Sequence, residues 1–316
     1  MKRVENIESL LNEYEAKNHL LSDLVFLSDV RKQTKEIFSQ GDICSGDPLP
    51  WEKTHGNIGF RPCELSIWGG INAHGKTAVL SQFMAYSVTH GAKWAIASLE
   101  MPIPRLAHRF VIQCCGSTTP SETYIDRCLD WADEKIWVFD ELDSVAAKRI
   151  LAFTRMAFDH LNVDHVVIDS LVKCRVNSEH NEAQKNFVDQ LQRIAKSGNG
   201  HVHLVHHVRK GQNEEDLITK FDLKGAGEMA DLADNIILVH RNKRKERIMR
   251  TGDHEQISKV EHLPDTVLLV EKQRHYSWEG MINLWYRNYR YAGSDNHFVP
   301  HCGPEWTSPS PIRNDY

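Results

Sequence analysis

The seven cysteines, Cys44, Cys63, Cys114, Cys115, Cys128, Cys174 and Cys302, contain no CxxC spacing, so neither a zinc knuckle nor a dithiol redox motif is encoded. An odd count of scattered thiols fits a reducing compartment. No run approaches 18 apolar residues, and the opening MKRVENIESLLNEYEAKNHLL is too charged for a secretory leader. The expectation is a cytoplasmic protein without a membrane partner. Positive net charge is lacking too: 38 Lys and Arg stand against 43 Asp and Glu, a formal charge of -5. Global attraction to nucleic acid is thereby excluded, and any such contact must come from a local patch or from backbone amides. There is no internal repeat.

What is present is enough apolar material for one large core, 41% of 316 residues. Residues 1–45 carry two short amphipathic patterns, the second at 27–38 with Val30 and Ile37 on its apolar side. A polar stretch with Gly and Pro at 40–59 follows. From Glu64 onward, short apolar runs alternate with helical patterns. Strands are expected at 65–68, 94–98, 136–139, 166–168, 202–205 and 236–239, with helices at 76–89, 104–115, 145–161 and 182–197. This rhythm predicts an α/β fold with a mostly parallel sheet covered by helices on both faces. Runs at 266–271 and 281–286 have no helix between them, so the sheet is expected to end in antiparallel strands. The main domain is read as 46–295, with a loosely ordered, proline-rich tail at 296–316. The charged run Arg241 to Arg247 reads as a solvated insert.

Gly70-Ile71-Asn72-Ala73-His74-Gly75-Lys76-Thr77 satisfies all eight positions of the phosphate-loop pattern between an expected strand and an expected helix. Loop amides and the helix start, through Ala78, offer partial positive charge to a nucleotide's phosphates, Lys76 offers a cation, and the Thr77 hydroxyl a magnesium ligand. Asp169 ends the apolar run HVVID, where a carboxylate reaches the same sheet edge and can hold a magnesium shell. Ser170 reads as a cap for the next turn. Glu100 ends WAIASLE: by itself it is either a base for an attacking water or a surface carboxylate. His207 ends HVHLVH and is either a phosphate sensor or an ordinary histidine. With His201, His203 and His206 it does not suggest a metal, since alternate strand residues do not converge and no ligand partner lies beside them. Lys272 and Arg274 share a strand face, which by itself describes a solvated charged strand equally well.

These pieces, in this order, resemble the motor domain of DnaB-type replicative helicases, and most closely the helicase half of phage primase-helicases and Twinkle. The resemblance spans residues 60–288 and rests on RPCELSIWGGINAHGKT, SLEM, VVIDSL, the histidine near 205–208, FDLKGAGEMADLADNIILVHRN and EKQRH. It implies a RecA-like P-loop NTPase that uses ATP or another NTP with Mg2+. It also implies Glu100 as catalytic glutamate, Asp169 as magnesium-associated aspartate and His207 as phosphate sensor. Lys272 and Arg274 would enter the neighbouring subunit's site, and Arg241 would lie against the base. Lys224-Gly225-Ala226-Gly227 resembles the family's DNA-binding loop, suited to single-stranded phosphates. A homo-hexamer or similar ring follows, with residues 27–38 docking on a neighbour, and a phage- or plasmid-encoded origin fits the short chain. There is no room for a primase domain before Cys63, so a primase, polymerase or loader would be separate. A RecA-like DNA-dependent ATPase or recombinase without unwinding shares the same loop, glutamate and aspartate and stays open as the alternative.

Overall fold

A computed structural model describes residues 26–40, 46–176, 181–208, 215–223, 226–296, 299 and 301–304. The chain divides into two compact units, residues 1–45 and 46–316. In the first, helix α1 (Arg31–Gln40) starts later than the sequence pattern suggests. Residues 27–30 form turns instead, with Asp29 N donating to Phe26 O at 2.9 Å and the Asp29 carboxylate accepting from Phe26 N. Phe26, Leu27 and Phe38 of this unit are exposed. The first amphipathic pattern lies outside the described residues.

The second unit begins with a two-stranded ribbon, β1 (Asp47–Pro48) against β2 (Gly59–Phe60). A nine-stranded sheet follows. Its strands are β3 (Leu65–Gly69), β4 (Trp94–Ser98), β5 (Ile136–Val138), β6 (His165–Asp169), β7 (His201–Val205), β8 (Asn235–Arg241), β9 (Thr266–Gln273), β10 (Gly280–Arg287) and β11 (Arg290–Ala292). The order is β11-β10-β9-β8-β3-β7-β6-β4-β5. Strands from β8 to β5 are parallel, whereas β9, β10 and β11 run antiparallel. Every residue of β3, β4, β6 and β7 is buried, because helices cover both faces.

On one face lie α2 (Lys76–Thr89), α3 (Ile103–Cys115) and α4 (Glu122–Ala132), with Val79, Phe83, Val88, Phe110 and Cys128 meeting Trp68, Trp94 and Val239 of the sheet. On the other lie α5 (Ala147–Leu161), α6 (Asn181–Gly198) and α7 (Ala226–Leu232), which bring Phe153, Phe158, Leu191 and Met229 onto Leu65, Ile67, Val166 and Leu204. Each fully buried side chain of this size stabilises the fold by ~1.5–3 kcal/mol. Phosphate loop and acidic strand ends therefore emerge from a stiff layer at the carboxyl edge of the sheet.

Three histidines are buried inside this layer. Trp68 Nε1 donates to His203 Nδ1 at 3.1 Å, His203 Nε2 lies 3.1 Å from His165 Nδ1, and His165 Nε2 lies 2.6 Å from Asp47 Oδ2. The indole can only donate, so each successive imidazole accepts through Nδ1 and donates through Nε2, and both are neutral. His201 is likewise satisfied by the Arg61 carbonyl at 2.6 Å and by Ser66 Oγ at 2.8 Å. Burial, followed by neighbouring histidines, pushes His201 and His203 well below 6.5. Between the folded value and about 6.5 the unfolded chain binds protons that the folded chain refuses, so this stability is complete above about pH 6.5 and is lost as pH falls. The urea midpoint at pH 5.5 is therefore expected to lie clearly below that at pH 7.5, with up to ~1.4 kcal/mol lost per histidine per pH unit. An equal or higher midpoint at pH 5.5 would refute the neutral, buried assignment.

Two segments depart from the sequence reading. The charged run after Arg241 is not a loose insert: it forms α8 (Lys243–Thr251), followed by α9 (His254–Val260). Asn242 caps α8 by accepting from Lys245 N at 2.9 Å. Lys245 is 3% exposed, its ammonium donating to Leu263 O at 2.6 Å and meeting Asp265 at 2.8 Å. Residues 301–304, placed by the sequence in a loose tail, pack instead: Cys302 is fully buried, and Gly303 N donates to Thr89 Oγ1 at 2.8 Å. Residues 305–316 lie outside the described residues. Among the described residues no helix is long and apolar enough to cross a membrane.

Candidate nucleotide site

Between β3 and α2 the chain turns tightly, and two glycines make the turn feasible. Gly75 has φ +97°, and a Cβ there would meet the Tyr291 hydroxyl at 2.5 Å; a Cβ on Gly70 would meet Val239 O at 2.7 Å. Helix α2 opens at Lys76 directly after the loop, so its first amides face the loop's concavity. Its near end is held from the far end of the sequence: Gln82 exchanges hydrogen bonds with Tyr291 N (2.7 Å) and Tyr291 O (2.9 Å) on β11. No local pattern around the loop announces that support.

The Lys76 ammonium rests on the carbonyls of Gly70 at 2.8 Å and Ile71 at 3.1 Å. Burial lowers its pKa to about 8, against the opposing pull of the Asp169 and Glu100 carboxylates. Thr77 Oγ1 donates to Asp169 Oδ2 at 2.6 Å. Asp169 is 8% exposed, and burial raises its pKa while the Thr77 hydrogen bond opposes that. Asn72 and Ala73 are exposed on the rim of the loop, and Ala78 lies one turn into α2. His74 differs from the expectation that it faces a phosphate. Its ring is fully buried, its amide closes a turn on Ile71 O at 3.2 Å, and its Nδ1 accepts from Arg241 N at 3.1 Å. Burial, then His240, brings its pKa to about 4, and its Nε2 is buried without a hydrogen-bond partner.

Glu100, beyond the end of β4, and His207, beyond the end of β7, converge on Ser170. Ser170 Oγ donates to Glu100 Oε1, and His207 Nε2 lies 3.4 Å from both that carboxylate oxygen and Ser170 Oγ. The other imidazole nitrogen, Nδ1, is 3.4 Å from Lys76 Nζ. With an ammonium on one side and a carboxylate on the other, Nδ1 accepts and Nε2 donates. The hydrogen bond from His207 brings the Glu100 pKa to about 2; burial opposes it and Ser170 assists. Ser170, read from sequence as a simple cap, is thus the hub that joins the glutamate to the histidine. Its position beside Asp169 was the signal available.

Arg241, at the end of β8, leans on the outside of the loop: Nη1 donates to Ala73 O at 3.4 Å, and Nε pairs with Glu246 at 3.1 Å. Lys272 and Arg274 do meet on one side, but their hydrogen bonds run to the carboxyl end of α7. Lys272 Nζ donates to Ala230 O at 2.7 Å, and Arg274 Nη2 to Asp231 O at 2.7 Å. A bulge in β9, where Ile236 and Ile237 face Lys272 and Val270 in turn, sets this orientation. Of the expected DNA loop, Lys224 and Gly225 lie outside the described residues, while Ala226 and Gly227 already belong to α7 rather than to a loop.

Residues 56–213, half of the chain, match the model of the AAA domain family. The chain belongs to that family. The matched segment contains the phosphate loop, Glu100, Asp169 and His207. Among solved structures, the ATPase domain of a phage helicase superposes with TM-score 0.68 at 16% identity, covering 84% of this chain and 97% of that one. A DnaB-like replicative helicase, described with its interactions with primase, superposes with TM-score 0.68 at 15% identity, covering 92% of this chain and 75% of that one. The shared feature at these identities is the fold: the domain has the RecA-like architecture of DnaB-like helicase ATPase domains, as the motif order implied.

Proposed function

We propose that this AAA-family domain hydrolyses nucleoside triphosphates, ATP foremost, and is the motor of a ring-forming DNA helicase. The observation that carries this reading is the meeting of Lys76, Thr77, Asp169, Glu100, Ser170 and His207 at one edge of the sheet. Those residues come from four separate strand ends, and a phosphate loop with no chemistry to perform needs only the first two. Thr77 and Asp169 present hard oxygens 2.6 Å apart, a donor set suited to Mg2+, which supplies charge neutralisation at the phosphates when bound.

In this mechanism the loop amides and Lys76 hold the terminal phosphates. Glu100, ionised at neutral pH, orients a water and accepts its proton as the water attacks the terminal phosphorus. His207 bridges the Lys76 ammonium and the Glu100 carboxylate, so it is placed to register whether a terminal phosphate has drawn Lys76 away from its resting carbonyls. Lys272 and Arg274 act on the neighbouring subunit's nucleotide, Arg241 lies against the nucleoside, and Lys224 with Gly225 contacts single-stranded DNA. The exposed Phe26, Leu27 and Phe38 of the first unit suit docking on a second copy. A primase, polymerase or loader is a separate partner.

Glu100→Gln is expected to bind ATP as the wild type does but to turn it over about 10²-fold more slowly or worse, because shape is kept and the base is lost. Nucleotide affinity and single-turnover hydrolysis measured together check this; unchanged turnover would place the base elsewhere. The wider function is tested by adding single-stranded DNA of unrelated sequences to the purified protein. Hydrolysis is expected to rise, and a rate indifferent to DNA would remove the motor reading.

A further inference from the structure

Beside the phosphate loop lies a cleft of about 490 Å³, floored by Gly75 and Ala78 and walled by Arg241, Glu246, Met249 and Tyr286. Its size suits a small-molecule ligand. It adjoins the first turn of α2, so a triphosphate seated on the loop leaves its remaining half facing this space.

Arg241 is held at three points. Two belong to the phosphate loop: its amide donates to His74 Nδ1 at 3.1 Å, and its Nη1 to Ala73 O at 3.4 Å. The third is Glu246 on α8, whose Oε2 lies 3.1 Å from Arg241 Nε. The backbone of Arg241 is thus fixed by the loop, and the plane of its guanidinium is left to Glu246. Glu246 is itself restrained, since Oε2 also meets Lys243 at 3.2 Å and Oε1 accepts from Arg250. Although burial works against its ionisation, the Lys243 hydrogen bond and the Arg241 charge hold its pKa below the usual range. Nor is α8 a loose flap, because the nearly buried Lys245 pins it to Leu263 O and Asp265. An arginine side chain has many rotamers, and a fixed carboxylate at its Nε removes most of them in advance of binding.

We propose that Glu246 is a positioning residue for nucleotide recognition: it holds the Arg241 guanidinium as a flat wall of the cleft, so that a nucleobase stacks there and a nucleoside triphosphate is bound in preference to bare triphosphate. This rests on the nucleotide-site reading above. The energy comes from cation–π stacking on a surface that need not be ordered when the ligand arrives.

The test compares calorimetric affinities of the full-length protein for Mg2+–ATP and Mg2+–tripolyphosphate. Glu246→Ala is expected to weaken ATP about 5-fold while leaving tripolyphosphate affinity as it was. Glu246→Gln, which still offers an oxygen to Arg241 Nε, is expected to recover part of the loss and also serves if the alanine variant fails to fold. Arg241→Ala should weaken ATP similarly, and adding Glu246→Ala to it should weaken ATP no further. Additive losses in the double variant, or an equal loss of tripolyphosphate affinity in Glu246→Ala, would overturn the proposal. A separate outcome marks failure of the underlying site: Lys76→Ala binding tripolyphosphate as tightly as the wild type would show that the phosphates sit elsewhere.

Discussion

Replacing Lys76 by alanine is expected to reduce ATP turnover about 10³-fold, to background, because it removes the one side-chain cation that the loop itself holds against the transferred phosphoryl group. The effect is large because the ammonium is 6% exposed and sits in a desolvated position, where charge acts with little screening. The same burial predicts what should not happen. Burial costs this ammonium solvation, as its pKa of about 8 reports, so its removal is not expected to lower the unfolding midpoint. A Lys76→Ala protein that melts like the wild type but does not hydrolyse ATP is the expected result. Wild-type turnover in that variant would end the assignment of the site, and a large drop in melting temperature would make Lys76 a structural residue.

The second large effect belongs to Arg274. Within its own chain the guanidinium donates to Asp231 O and Leu232 O and meets Asp234, which is 2% exposed, at 3.3 Å. Asp234 keeps other partners, accepting from Leu65 N at 2.9 Å and from Gln192, so Arg274→Ala does not leave a bare buried charge. The variant is expected to fold and bind nucleotide but to hydrolyse it about 10³-fold more slowly, if the guanidinium completes a neighbour's site. Mixing it with Lys76→Ala chains should then restore part of the activity, since some interfaces pair an intact loop with an intact arginine. Subunit exchange is followed independently with two fluorophores. Exchange without any gain above the sum of the two variants would contradict the shared site, as would full DNA-stimulated turnover by Arg274→Ala alone.

How much of this was legible depended on whether the cause was local. Strands β3, β4, β6, β7 and β8 stood out because both faces are covered and the runs are continuously apolar. The phosphate loop was legible because glycine, lysine and threonine must occupy fixed offsets for backbone and charge to meet a phosphate. Glu100 and Asp169 were legible as strand-end carboxylates, and their approach to the loop then followed from sheet order. What the sequence hid were contacts between distant segments. Lys245 reads as one more solvated charge in KRKER, but its partner Asp265 comes 20 positions later, across α9. Ser170 reads as a cap until His207 and Glu100 are brought to it. Gly75 needs to be glycine partly because Tyr291 packs on it, more than 200 residues away in the chain. His203 looks like a titratable surface residue in HVHLVH, and only the indole of Trp68 and the ring of His165 reveal that it is neutral and buried.

The central claim, that hydrolysis at this loop drives movement on DNA, is tested most directly by strand displacement from a forked duplex with fluorescent and quencher labels on opposite strands. The wild-type protein with Mg2+ and ATP is expected to separate the strands catalytically, with no separation in ADP or by Lys76→Ala and Glu100→Gln. Vigorous DNA-stimulated hydrolysis without strand separation, accompanied by strand exchange or filaments on single-stranded DNA, would contradict it and identify a DNA-dependent ATPase of the recombinase kind.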